Sequence, residues 1–173
     1  MELKTELINI GDPQWETQVC QYVCGNRQHF DELVLHFFSS DFRGAHGATK
    51  ILLACAKIKP EWLAEQVPNM VRTLSKDLPV WSKRNILRVI QYQSIPEELW
   101  GHTADQCFNY LASTDEPVAV KVFSMTVIYN LTKEVPDLAR ELRLLIEDQY
   151  PLGSAGFKAR GRKVLNQLQK DGH

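Results

Sequence analysis

The sequence is short of the features that mark several large protein classes. No apolar run approaches the ~20 residues that a membrane-spanning helix requires, so no span is expected. The opening Met-Glu-Leu-Lys-Thr-Glu has no basic start followed by an apolar core, and no secretory signal is expected from it. Neither charge sign is in excess: 20 Lys and Arg stand against 21 Asp and Glu. Such a balance sets up no global field to gather nucleic acid or an anionic membrane. There are only four cysteines, Cys20, Cys24, Cys55 and Cys107, and their irregular spacing does not describe a disulfide framework. A reduced, cytoplasmic setting fits that usage. Nucleophile elbows, phosphate loops, dinucleotide fingerprints and zinc-protease motifs are all missing, so no catalytic residue and no cofactor are expected.

What is present is ordinary globular composition with a period. Apolar residues make up 44% and charged residues 24% of the 173, which is too apolar for disorder and enough for a single domain over 1–173. Three X-Pro-acid steps occur at Lys59-Pro60-Glu61, Ile95-Pro96-Glu97 and Val135-Pro136-Asp137, with the prolines 36 and then 40 residues apart. Proline suits the first helical turn, where its missing N–H has no intrahelical partner, and an acid beside it suits the positive end of the helix dipole. A second series, Asp41, Asp77 and Asp115, is spaced by 36 and 38 residues in polar turns. Apolar residues at three- and four-residue steps follow each turn: Ile51, Leu52 and Cys55; Ile86, Leu87 and Ile90; Val127, Ile128 and Leu131.

The pattern predicts first helices near 27–39, 60–75, 96–112 and 136–149, each followed by a second helix, near 43–57, 80–93, 117–133 and 156–169. A further helix is predicted over 13–24, with Asp12 as cap and Pro13 as first residue, and a short leading one over 2–9. Pro68 should kink the helix 60–75. No segment alternates like a strand. Helical pairs of this kind bury their apolar stripes only by stacking on one another.

These features resemble the HEAT and armadillo-like repeat family over about residues 27–170. The segment Asp115-Glu116-Pro117-Val118-Ala119-Val120-Lys121 is the nearest to the HEAT signature. The resemblance implies an all-α solenoid of about four hairpins with an extra N-terminal helix. It also implies a hydrogen-bonded ladder between repeats, in which Asp77 would serve with Lys83 and Asp115 with Lys121. Asp41 has Gly47 where the basic residue would stand. The family further implies a binding or scaffold module, with another protein held on a concave face of second helices. Arg84, Arg88, Gln91 and Tyr92 would lie there, joined by Lys121, Ser124 and Tyr129 from the next repeat.

Other readings attach to particular residues. Lys158, Arg160, Arg162 and Lys163 concentrate positive charge: residues 154–173 hold five basic groups and one acid, a net of +4 in a chain of net −1. Nucleic acid, as in the HEAT-like DNA-alkylation glycosylases, is the alternative partner for that patch, but a solvated end helix accounts for it more simply, since the helix before it is acidic at Glu141, Glu147 and Asp148. His29, Glu32 and His36 share one helix face and could ligate a metal, joined by Cys20 and Cys24. A polar edge on a buried helix accounts for the same three, and burial as small core residues for the cysteines. Gly44, Gly47 and the alanines around His46 suit close helix approach. Neither His46 nor His102 has a nucleophile pattern beside it.

Overall fold

A computed structural model describes residues 1–11 and 13–173, the side chain of Pro13 aside. Among the described residues all regular structure is helical. The elements are α1 (Leu3–Ile8), α2 (Pro13–Cys24), α3 (Arg27–Phe37), α4 (Phe42–Cys55), α5 (Pro60–Ala64), α6 (Val67–Thr73) and α7 (Val80–Ile90). A 3-10 turn (Glu97–Leu99) leads into α8 (Trp100–Ala112), and α9 (Val118–Leu131), α10 (Leu138–Gln149) and α11 (Ala155–Lys170) follow. None of these helices is long and apolar enough to cross a membrane.

Local chemistry sets the helix ends. Asn26 caps α3 by accepting from the Gln28 amide at 2.9 Å, and Asp41 caps α4 by accepting from the Arg43 amide at 3.1 Å. Ser154 accepts from the Phe157 amide at the start of α11. Pro60 occupies the first turn of α5, as its spacing predicts. Pro96 and Pro136 instead stand just ahead of their helices, so α8 enters through a 3-10 turn and α10 starts at Leu138. The predicted cap at Asp12 lies outside the described residues. Pro68 does more than kink its helix. Its ring excludes the Ala64 carbonyl and it has no N–H to donate, and the helix parts into α5 and α6 around Glu65-Gln66.

Packing divides the chain into two compact units, Met1–Val67 and Pro68–His173. In the first, α4 packs against α1, α2 and α3. Leu3, Leu7, Val19, Val23, Phe30, Leu33, Ile51 and Leu52 are buried there. The close approach of α1 to α4 depends on Gly47, because a Cβ at that position would lie 2.1 Å from the Leu7 carbonyl oxygen.

In the second unit α8 pairs with α9 and α10 with α11 as hairpins. The second helices α7, α9 and α11 lie side by side, and the first helices α8 and α10 touch in the other layer. Buried Leu87, Ile90, Cys107, Leu111, Met125, Ile128, Leu142, Ile146, Val164 and Leu168 fill the space between the layers. Helix α9 touches α7, α8, α10 and α11. It is accordingly apolar around most of its circumference rather than along one stripe.

Candidate functional site

The second helices of residues 80–170 are tied to their neighbours by polar rungs, and these rungs decide which side chains are left for a partner. Lys83 projects from α7 and makes an ion pair with Glu116, in the turn that opens α9. Their side chains are only 17% and 11% exposed. The Lys83 ammonium also lies 5.3 Å from the centre of the Tyr110 ring, and the Tyr110 hydroxyl donates to the Leu74 carbonyl at 2.8 Å. One repeat later Lys121 donates to Gln149 Oε1 at 2.8 Å, and Gln149 Nε2 donates to the Leu111 carbonyl at 2.9 Å. The two lysines therefore do hold adjacent hairpins, but not through the aspartates expected for them. Asp77 is exposed, and Asp115 takes its bonds locally from Thr114 Oγ1 and gives its amide to Ser113 Oγ. Glu116 and Gln149 take the places expected of the turn aspartates.

A second set of bonds converges on Gln91. Its carbonyl accepts from Asn130 Nδ2 of α9 at 2.8 Å, and its Nε2 donates to the Arg88 carbonyl at 3.1 Å. The Arg160 guanidinium of α11 donates to Gln91 Oε1 at 3.4 Å and also to Thr126 Oγ1 of α9. One cation thus links all three second helices, with neutral acceptors that would be costly to leave unpaired. No pattern along the chain announces this junction, since Gln91, Thr126, Asn130 and Arg160 match no family motif.

The expected recognition residues accordingly fall into two groups. Ser124 is fully buried, Gln91 is 3% exposed and Tyr129 is 7% exposed. The Tyr129 hydroxyl donates to Asp171 Oδ2 at 2.8 Å, and burial first, then that carboxylate, raise the phenol's pKa. These three build the unit and cannot meet a partner, which corrects the reading of them as contact residues. Tyr92 is 69% exposed, and Arg84, Arg88 and Lys121 are half-buried. Tyr92 stands on the rim of a cavity of about 320 Å³ at the C-terminal ends of α7 and α9. Ile95, Trp100, Val127 and Leu131 supply its apolar lining, and exposed Lys133 and Glu134 its charged edge. Trp100 is held in place by its indole N–H, which donates to the Ile95 carbonyl at 2.9 Å.

The C-terminal basic patch is not a single four-residue face. Arg160 turns inward to Thr126 and Gln91, and Arg162 donates to the Tyr150 hydroxyl at 3.3 Å. Lys158 is half-buried and Lys163 exposed. At ~100° per residue positions 158 and 162 share one side of the helix and 163 lies about a quarter-turn further round, while 160 points the other way, so the four charges do not act as one patch.

The proposed histidine ligand set is likewise not assembled. His29 Nδ1 lies 3.0 Å from the Tyr22 carbonyl, and its ring stacks on Tyr22 with centroids 3.9 Å apart. His36 Nε2 lies 3.8 Å from Glu32 Oε1, a surface pair one turn apart. Cys20 and Cys24 do not turn toward these histidines. They face Cys55, and the three sulfurs are the one group of three close metal-ligating atoms among the described residues. His102 has a neighbour its sequence context did not suggest, Ser75 Oγ at 2.8 Å from Nε2. That contact is exposed, and no carboxylate orients the imidazole among the described residues, as a triad would need.

Among known families, the HEAT repeat domain matches residues 4–168 of the chain. No curated protein and no solved structure gives a significant match. HEAT repeat domains generally serve as protein-interaction scaffolds. Helical hairpins, a layer of second helices crossed by lysine rungs and a match over nearly all of its length give the chain the all-α solenoid fold of this group, and it belongs to the HEAT repeat domain family.

Proposed function

We propose that the chain is a non-enzymatic binding module that holds another protein against the second helices of residues 80–134. The observation that carries this reading is the cavity beside Tyr92. A large aromatic side chain left 69% exposed at the mouth of a partly apolar cavity of about 320 Å³ has the form of an interface anchor. Lys133 and Glu134 on the edge offer both signs of charge for orienting a partner, which contributes specificity more than affinity. The partner's own contribution is an apolar side chain that enters between Trp100, Val127 and Leu131.

Substitution of Tyr92 tests this. The tagged chain captures its partner from cell extract, the partner is identified, and affinity is then measured with purified components. Tyr92→Ala should weaken binding by about 2 kcal/mol, roughly thirtyfold, as loss of an aromatic hot spot does. Glu98→Ala, an exposed change in the turn before α8, should leave affinity unaltered. Equal affinity of the Tyr92→Ala variant and the parent would remove the reading. Because Tyr92 is so exposed, its loss should leave helical content unchanged.

The reading treats residues 1–173 as one module. Thermal unfolding should then be a single transition with matching calorimetric and van't Hoff enthalpies. Two resolved transitions would divide the module in two.

A further inference from the structure

We infer that Cys20, Cys24 and Cys55 form a three-sulfur site for one soft metal ion, with copper(I) as the occupant that its coordination suits. Cys20 and Cys24 are one turn apart on the same face of α2, and Cys55 ends α4, which packs against that face. Cys20 Sγ lies 3.6 Å from Cys55 Sγ and 3.9 Å from Cys24 Sγ, and all three sulfurs are within 4.8 Å of one another. Metal–sulfur bonds of about 2.3 Å put sulfurs about 4.0 Å apart around a three-coordinate ion and about 3.8 Å apart around a tetrahedral one. The observed separations need only small side-chain adjustment to meet either.

The ligand count decides between them. No fourth Cys, His, Asp or Glu joins the group among the described residues. Zinc(II) on three thiolates would need a water as its fourth ligand, whereas copper(I) is satisfied by three thiolates alone, and two of these three sulfurs are buried. An entry path exists. A cavity of about 240 Å³ opens beside Cys20, bordered by Glu16, Gln21, Ala54, Lys57 and Ile58. Cys24 is half-buried while Cys20 and Cys55 are buried, so one ligand faces solvent and two lie beneath it. Lys57 and Glu16 stand at the same opening, one charge of each sign.

Thiol chemistry of another kind is disfavoured here. Cys20 and Cys55 are 5% and 0% exposed, so most reagents cannot reach their sulfurs. Sheltered sulfurs are poor nucleophiles and poor redox sensors. A metal that reaches them displaces the protons directly. Three S–H bonds break, three Cu–S bonds form, the protons pass to buffer and no electron moves, so the copper must arrive already reduced.

The test is titration of the reduced full-length chain under argon with copper(I) supplied as its acetonitrile complex, against a coloured copper(I) chelator. One ion per chain is expected, with three sulfur neighbours by X-ray absorption. Cys24→Ser, the half-exposed position where folding is least at risk, should lose stoichiometric loading and keep its circular dichroism spectrum. Cys55→Ser should lose loading as well, and Cys107→Ser should retain it. Full loading of Cys24→Ser, a two-sulfur environment, or zinc(II) taken up in preference to copper(I) would each overturn the assignment.

Discussion

Replacing Lys83 with methionine is expected to cost about 2–3 kcal/mol of stability, somewhat less than the penalty for leaving one member of a fully buried ion pair behind, because both side chains keep slight exposure. The stranded group would be Glu116, whose side chain is 11% exposed and whose Oε2 is buried without a hydrogen-bond partner even with Lys83 in place. Removing the lysine leaves that largely buried carboxylate without charge compensation. The double variant Lys83→Met, Glu116→Leu should recover most of the loss, because apolar groups of similar volume often replace a buried pair at little cost. Urea denaturation followed by circular dichroism measures all the required variants, and their cycle isolates the pair. A single substitution that costs under about 1 kcal/mol would place the pair in the class of surface bridges and deny it a role between hairpins.

The second large effect reverses a familiar sign. Alanine is favoured over glycine inside a helix by about 1 kcal/mol, so Gly→Ala ordinarily stabilises. Gly47→Ala should destabilise by about 1–3 kcal/mol, the range seen when a packed interface is overfilled. Its new methyl would lie 2.1 Å from the Leu7 carbonyl oxygen and 3.0 Å from the Leu7 Cα. Backbone atoms cannot rotate aside as a side chain can, so α1 must shift off α4 and expose Leu3 and Leu7, now 1% and 0% exposed. Gly101→Ala in α8 is the matched control. No neighbouring atom lies within 4 Å of the point where a Cβ would stand at position 101, and that change should stabilise modestly. Thermal unfolding of both variants checks the pair of signs. Stabilisation by Gly47→Ala would mean that the Leu7 backbone does not rest on α4.

Much of the fold is legible in the sequence because helix periodicity and turn chemistry are local properties. The apolar steps Ile51, Leu52, Cys55 and Ile86, Leu87, Ile90 identify second helices directly, and their residues are buried. The break at Pro68 is less legible, because whether a proline bends or parts a helix depends on the packing around it. Gly47 shows how a missing motif residue can be informative. A basic side chain is absent there because the α1 backbone occupies the space. The binding face is far less legible. Gln91, Ser124 and Tyr129 sit on second helices, as the face requires, yet hydrogen bonding and burial take them out of solvent. Spacing along one helix gives a residue's layer, but which inner positions meet a neighbouring helix depends on crossing geometry that one sequence does not encode visibly. The three sulfurs are a similar case, with Cys55 35 residues beyond Cys20 and brought to it only by the packing of α4 on α2.

The most direct test of the binding account is photo-crosslinking from position 92. A benzophenone amino acid at Tyr92 should yield one predominant adduct to a single protein in cell extract, and the same probe at Asp137, ahead of α10, should yield none. Absence of an adduct from position 92, or an equal one from position 137, would contradict a docking face at the ends of α7 and α9.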